Sequence, residues 1–428
     1  MKYLKIHDLL RDLCLREAEK ERFYHVVGRH SPQGMCSQRR IVIPINTSKK
    51  EVLDAMKSTP YARSYISDRE SVPLLPNLKL LRILKVDSYE DYAKSLGKMV
   101  NLRLVDVNEV RSQFSPPWSL QTLIAPYHNG TFEIRTTPQL RHVHVGNGEL
   151  HLQDHLSDNI VIMENLQILK RVKNFKCDET MVRRLPNIKK LLLIYDGTES
   201  RDDEYCVHNI GRLQKLESLR CYCYPSDRFL RKLTFPHSLK SLTLEMGRGR
   251  GKGKGRMKYI LEKISTLPLL QKLKLSGGYF STGKWETVEG QFPSLKYLSL
   301  RICYGLECWT MESSSHFPCL EHLHLSFLVD LKEIPAELGE IPTLKLVELN
   351  GCTESAVKSA KRMVEEQEEL QGEEQLSFKV TVWYWDETEE MQSLANPNFQ
   401  VTPHKKKGSY KYEVKNDICL ESWRFLLC

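Results

Sequence analysis

The residues able to do chemistry fall into a few groups. Gly278-Tyr-Phe-Ser-Thr-Gly283-Lys284 has the spacing of a phosphate loop, in which glycine amides cradle a phosphate and the lysine reaches it, and it follows a strand-like run. The next residue is Trp285, where Mg²⁺ chemistry needs a Ser or Thr hydroxyl, so no phosphate role is expected. His142-Val-His144 and His322-Leu-His324 each set two imidazoles on one strand face, a spacing that suits a metal if a third ligand converges. No third ligand recurs nearby, so these pairs are expected to be exposed recognition residues and no metal site is assigned. Gly247 to Arg256 alternates glycine with five cations. Arg-Gly tracts can bind RNA, but no aromatic residue interleaves here, so a solvated, extended loop is expected and no nucleic-acid partner. The opposite run, Glu365 to Glu374, carries six glutamates and reads as a solvated helix end. No Ser-His-Asp set, carboxylate pair or metal cluster emerges. No catalytic residue is assigned, and the chain reads as a non-enzyme.

Composition narrows the class. Of 428 residues, 41% are hydrophobic and 27% charged, a folding composition with room for two or three domains or one long array. Lys plus Arg number 63 against 54 for Asp plus Glu, giving +9, and five of the excess sit in the Gly-Arg run. No stretch of 18 apolar residues is present, so no membrane span is expected. Lys5, His7, Asp8, Arg11 and Asp12 interrupt the N-terminus, which therefore cannot form the apolar centre of a secretory leader. Twelve cysteines without a CxxC pair then fit small core hydrophobes in a reducing, cytoplasmic compartment.

The elements that must position these groups are set by a repeat. L-x-x-L-x-L, with Ile or Val allowed, recurs twelve times from Pro76 to Asn350. Its anchors read as Leu78, Leu102, Leu120, Leu140, Leu166, Ile188, Leu216, Leu239, Leu270, Leu295, Leu320 and Leu344. The mean interval of about 24 residues lies within the leucine-rich repeat range. Within L-x-L a strand points both apolar residues to one face, and one such strand cannot bury that face alone. The pattern predicts an α/β leucine-rich repeat solenoid, with a curved parallel sheet on the concave side and an irregular convex side. Leu298 and Leu300 should be buried, while Tyr297, Ser299 and Arg301 line the concave sheet. That surface also collects His142, His144, Lys190, Arg220, Tyr222, Lys272, Lys274, His322 and His324. Ser37 to Pro44 and Ala62 to Ser67 read as two earlier strands. Ala356, Val357, Ala360, Met363 and Val364 read as a helix, and Leu376 to Trp385 as a strand.

The N-terminal residues carry a resemblance. KIHDLLRDLCLREAEKE, then RRIVIP, ARSYI and LLRILKV, closely resembles plant intracellular immune receptors of the coiled-coil, NB-ARC, leucine-rich repeat class. Within that class it is most similar to the group of late blight resistance protein homologs. There a Met-His-Asp motif heads the helix that ends the NB-ARC module; here it stands as Ile6-His7-Asp8. Ser359 to Glu369 resembles the group's last helix, and the likeness runs from about Tyr3 to Phe399. The chain starts at the motif, so the expectation is a receptor shortened at its N-terminus, with a short helical remnant and neither coiled coil nor nucleotide-binding core.

The resemblance implies that His7, with Asp8, is a vestige of the nucleotide site, His7 contacting the β-phosphate of ADP. A helix N-terminus beside an imidazole is chemically suited to that. The residues alone read more simply: Asp8 caps a helix whose Leu10, Leu13 and Cys14 seek a core. ADP or ATP belongs to the full-length family, and no cofactor is expected for this chain alone. The expected organisation is 1–36 for the NB-ARC remnant, 37–352 for the repeats, 353–391 for a capping helix and strand, and 392–428 for a poorly ordered tail. The implied function is recognition of a pathogen effector or guarded host protein, or of an NB-ARC domain, controlling a nucleotide switch in defence. The alternative is a generic repeat scaffold or ubiquitin-ligase substrate adaptor, which would need an F-box-like helical module where residues 1–36 offer one clear helix.

Overall fold

A computed structural model describes residues 39–67, 78–89, 99–110, 116–126, 137–146, 160–195, 203–247, 256–371, 376–384 and 392–403, with short pieces at 17, 20–21, 25–27, 96, 132–133 and 150–151. It forms two compact units: 1–175 with 183–190, and 176–182 with 191–428. Each is a leucine-rich repeat solenoid of parallel strands. His7, Asp8, the Gly-Arg run from 248 to 255 and residues 404–428 lie outside the described residues.

In unit 1 the strands are β1 (His25–Val26), β2 (Arg40–Ile43), β3 (Ser64–Ser67), β4 (Ile83–Tyr89), β5 (Leu104–Val110), β6 (Thr122–Ala125), β8 (His142–Val145) and β10 (Ile168–Lys173). They pair in parallel in that order. A separate two-stranded pair, β7 (Phe132–Glu133) and β9 (Leu150–His151), lies between. The register stacks Ile41, Tyr65, Leu84, Val105, Leu123, Val143 and Leu169 into one column, all buried. Among the described residues the first rung of the ladder is β1, ahead of the boundary at 37 that the sequence suggests; two residues carry too little pattern to announce a rung.

Unit 2 takes β11 (Lys190–Ile194) from its second residue. It continues with β12 (Ser218–Cys223), β13 (Ser241–Met246), β14 (Lys272–Ser276), β16 (Tyr297–Arg301), β18 (His322–Ser326), β19 (Leu346–Asn350), β20 (Lys379–Tyr384) and β21 (Phe399–Pro403). From β12 onward these pair in parallel in order. Leu219, Leu242, Leu273, Leu298, Leu323, Val347, Val380 and Phe399 form one buried column. On the opposite side β15 (Lys284–Glu286) pairs with β17 (Cys308–Thr310). There Trp285 stacks on Trp309 at 4.8 Å, and Phe292 on Phe317 at 5.2 Å.

From β3 to β19 each ladder strand is entered through a one-turn hydrogen bond from the anchor amide to the carbonyl three residues earlier, as from Leu295 to Phe292 at 3.2 Å. The residue just before the anchor ties the turn to the preceding rung: Asn101 Nδ2 donates to the Lys79 carbonyl, Asn187 Nδ2 to Glu164 and Ser294 Oγ to Pro268. These bonds satisfy carbonyls at the turn that a parallel strand would leave unpaired.

Three sequence expectations are corrected. The first repeat is anchored at Leu81, not Leu78: the strand runs Ile83–Tyr89 with Leu84 and Val86 buried, and Ile83 exposed. Both registers satisfy L-x-x-L-x-L, and the backbone bond from Arg82 to Arg63 decides between them. Ser299 is buried instead of lining an open surface, and His324 of the next rung reaches over to hydrogen-bond with it at 3.0 Å. The segment 392–428 is not wholly without order: Phe399–Pro403 adds a rung to β20, held by a turn in which Asn396 accepts from the Asn398 and Phe399 amides. β20 is therefore followed by a further strand. The helix Glu354–Gln371 packs Ala356, Val357, Ala360, Met363 and Val364 into the core and is N-capped by Thr353.

Replacing Leu298 by Ala removes a residue stacked between Leu273 and Leu323 and should cost about 2–5 kcal/mol. Ser299→Ala loses a hydrogen bond to His324 and should cost about 1 kcal/mol. Urea denaturation of the two variants checks this; equal shifts would contradict the strand register. Gly277, at φ +80°, ends β14 where a Cβ would overlap the Met246 carbonyl, so Gly277→Ala should destabilise more than Ser299→Ala.

Candidate functional site

Since the leucine columns face the core, the alternate residues of every strand project from the open sheet face. In unit 2 this produces three rows. The first reads Ser218, Ser241, Lys272, Tyr297, His322; the second Arg220, Thr243, Lys274, Ser299, His324, Glu348; the third Tyr222, Glu245, Ser276, Arg301, Ser326, Asn350, Trp383. Of the residues expected on the concave face, the structure brings together Arg220, Tyr222, Lys272, Lys274, Tyr297, Arg301, His322 and His324. His142, His144 and Lys190 lie on unit 1, where they form a separate group.

The unit 2 face is a cation–aromatic surface. Lys272 and Lys274 place their ammonium groups 5.0 and 5.2 Å from the centre of the Tyr297 ring. Tyr297 in turn lies 6.4 Å from His322. Arg220 stacks over Tyr222 at 4.8 Å, and Arg301 over Phe327 at 5.9 Å. Burial pushes the Lys274 pKa down, helped by Lys272 and Arg220.

Two residues that sequence reasoning passed over shape the field. Glu245 binds Arg220 at 2.6 Å, and Glu348 sits beside His324 in the second row. Burial and Glu348 together raise the Tyr297 pKa. Both glutamates occupy alternate positions of LTLEM and LVELN, and a reading by column would have found them.

Burial is the leading influence on three of the imidazoles, and His324 also makes a hydrogen bond with Ser299. Burial holds His324 below its ordinary pKa, with Lys274 and Arg301 acting in the same direction against Glu348. His142 is lowered by burial and by Lys170, Arg141 and Lys190. His144 is lowered to about 4 by burial, then by Arg171 and Lys170. Among the described residues no group of three potential metal ligands converges.

Ser299, His324 and Glu348 share one row, with Ser299 Oγ 3.0 Å from His324 Nδ1. These are the residue types of a hydrolytic triad. A nucleophilic serine also needs spare N–H donors for an oxyanion. Here the strand amides are spent on the parallel ladder and Ser299 is buried, so the pair acts as a packing hydrogen bond.

The Gly278–Lys284 segment spends its amides in the same way. Phe280 donates to the Tyr304 carbonyl and Gly283 to Phe280, while Trp285 is buried against Trp309. The Phe280 amide ties the loop to the next rung and the Gly283 amide closes a turn within it, so neither is free to cradle a phosphate.

No protein-family model matches the chain. Curated relatives do. One late blight resistance protein homolog of Solanum demissum is 27% identical over 89% of this chain and 52% of its own length. A second homolog from the same plant is 26% identical over 86% of this chain and 30% of its own. A third relative, a late blight resistance protein of Solanum demissum, is 26% identical over 86% and 30%. The chain is similar to the late blight resistance proteins over most of its length. It spans about half, or less, of the relatives it matches. Among solved structures, the functional domain of InlJ from Listeria monocytogenes has a TM-score of 0.39 and 11% identity, covering 82% of this chain and 70% of that one.

The pH dependence of unit 1 follows from His144. Folding keeps it neutral down to about pH 4, whereas an unfolded chain protonates it near 6.5. As pH falls, the unfolded state takes up the proton first. The stability contributed is intact above about pH 6.5 and is lost between there and about pH 4, amounting to roughly 1–3 kcal/mol. Denaturation midpoints measured across that window should fall for the wild type and flatten for His144→Gln.

Proposed function

We propose that this chain is the recognition region of a plant disease-resistance protein. In this reading the open face of unit 2 binds a pathogen effector or a guarded host protein, and binding controls a nucleotide switch in the defence response. What carries the reading is the cluster Lys272, Lys274, Tyr297, Arg301, His322 and His324 on adjacent rungs, in a chain similar to late blight resistance proteins. A parallel ladder holds these side chains at fixed spacing, so their geometry is set before a partner arrives and little ordering entropy is lost on binding. Arg220, Lys272, Lys274 and Arg301 outnumber Glu245 and Glu348, which favours an acidic protein partner. The role is binding and not catalysis.

His7 and Asp8 enter as a vestigial nucleotide contact. A helix end contributes about 0.3–1 kcal/mol and a charge-assisted hydrogen bond about 1.5–3. Their sum is near the roughly 4 kcal/mol of a millimolar complex, before the cost of ordering the ligand. These 428 residues would therefore hold ADP only weakly, and a nucleotide-binding module would have to complete the pocket.

Leaf tissue expressing the chain and challenged with the late blight pathogen tests the recognition face. The quadruple change Arg220→Ser, Lys272→Ser, Lys274→Ser, Arg301→Ser should abolish any resistance phenotype, and deletion of 248–255 should not. Loss with the deletion alone would place recognition in the Gly-Arg loop. Calorimetry of the 428-residue chain with ADP and Mg²⁺ should give a dissociation constant no tighter than about millimolar. Micromolar binding that disappears in His7→Ala would contradict the nucleotide account.

A further inference from the structure

Arginine occupies the position just after the anchor on four consecutive rungs of unit 1: Arg39, Arg63, Arg82 and Arg103. The Arg63 amide donates to the Arg39 carbonyl at 2.7 Å, Arg82 to Arg63 at 2.7 Å, and Arg103 to Arg82 at 2.8 Å. The four therefore stack in one column at the strand spacing of about 4.8 Å. Among the described residues no ion pair neutralises Arg39, Arg63 or Arg82, and Arg103 reaches the Ser119 carbonyl. Mutual repulsion is felt: Arg39, then burial and Arg82, lower the Arg63 pKa. Unit 2 fills the same position differently. There Lys240 pairs with Glu217 at 3.5 Å, and Glu321 with Lys296 at 3.1 Å and Lys345 at 2.6 Å. The repeat can balance this column, and among the described residues of unit 1 no such pair is present.

The turns that lead into the same edge expose apolar side chains on four consecutive rungs. Tyr61 is 62% exposed, Leu80 41%, Val100 52% and Trp118 58%. A cationic column flanked by an apolar strip fits a segment that carries carboxylates beside an exposed hydrophobe. The C-terminal helix ends in one. Glu365, Glu366 and Glu369 are exposed there, and Leu370, at 77%, is the most exposed large hydrophobic residue described. Glu366 and Leu370, four apart, share one side of the helix. Of the three glutamates only Glu365 makes an ion pair among the described residues, with Lys361 at 3.6 Å.

We propose that the arginine column and apolar strip of unit 1 dock the Glu365–Leu370 helix end of a second copy of this chain. The two surfaces differ, so at each contact one copy presents the arginine column and the other the helix end. Exposed ion pairs are individually weak, so association is concentration-dependent and dissolves in salt. The proposal is independent of the recognition face on unit 2.

Sedimentation velocity of the full chain tests it at about 0.01 M and about 1 M salt, where the Debye length falls from roughly 30 Å to 3 Å. The sedimentation coefficient should rise with protein concentration in the first buffer and stay at the monomer value in the second. Arg63→Glu with Arg82→Glu should abolish the rise, as should Glu366→Lys with Glu369→Lys, each with an unchanged melting temperature because the sites are at the surface. An equimolar mixture of the two variants restores opposite charges across the contact and should associate again. A wild type that stays monomeric in low salt overturns the proposal, as does association that survives both variants or a mixture that stays monomeric. Tight binding of a single-stranded oligonucleotide by a monomeric chain, lost in the arginine variant, would assign the column to nucleic acid and overturn it equally.

Discussion

A five-residue parallel strand with two leucines on one side has no partner of its own for them. Leu298 and Leu300 are buried because Leu273 and Leu275 stand on one side and Leu323 and Leu325 on the other. Every rung is in that position, so the fold is held by neighbour-to-neighbour stacking and by no single central core. The polar turns obey the same constraint. Asn101, Asn187 and Ser294 each spend a side-chain hydrogen bond on the rung before, so the column of leucines and the column of turns enforce one register. On the other side of unit 2 the stacked pairs Trp285–Trp309 and Phe292–Phe317 repeat at a similar spacing.

That constraint leaves the alternate residues free to vary, and they are where this chain becomes specific. Lys272, Lys274 and Tyr297 meet only because the rungs that carry them stand in register, and Arg220 meets Glu245 for the same reason. The ladder also limits the available chemistry. Its amides are occupied, so a buried serine beside a histidine remains a packing contact, and a glycine-rich loop with phosphate spacing becomes a connection between rungs.

The repeat pitch was legible because leucine at fixed offsets is a one-dimensional signal. The first anchor was not, because Leu78-Leu81-Ile83 and Leu81-Leu84-Val86 both satisfy the pattern and only a hydrogen bond from the previous rung separates them. Ser299 looked exposed because alternation along one strand says nothing of side chains reaching over from the next. β21 was hidden because Phe399 and Val401 offer only two alternating apolar residues, too short a run to stand out from the polar residues around it. Glu245, Glu348 and Trp383 were readable only by column, once the strands had been aligned. The residues expected on the recognition face do lie on strand faces, but in two groups, since His142, His144 and Lys190 belong to unit 1.

Amide hydrogen exchange reads the dependence of each rung on its neighbours. The strand amides of β12, β13, β14, β16, β18 and β19 should share one slow regime, and Leu323→Ala should speed exchange in β16 and β19 as well as in β18. Acceleration confined to β18, with its neighbours unchanged, would show that the rungs do not depend on one another and would contradict the stacking that the fold rests on.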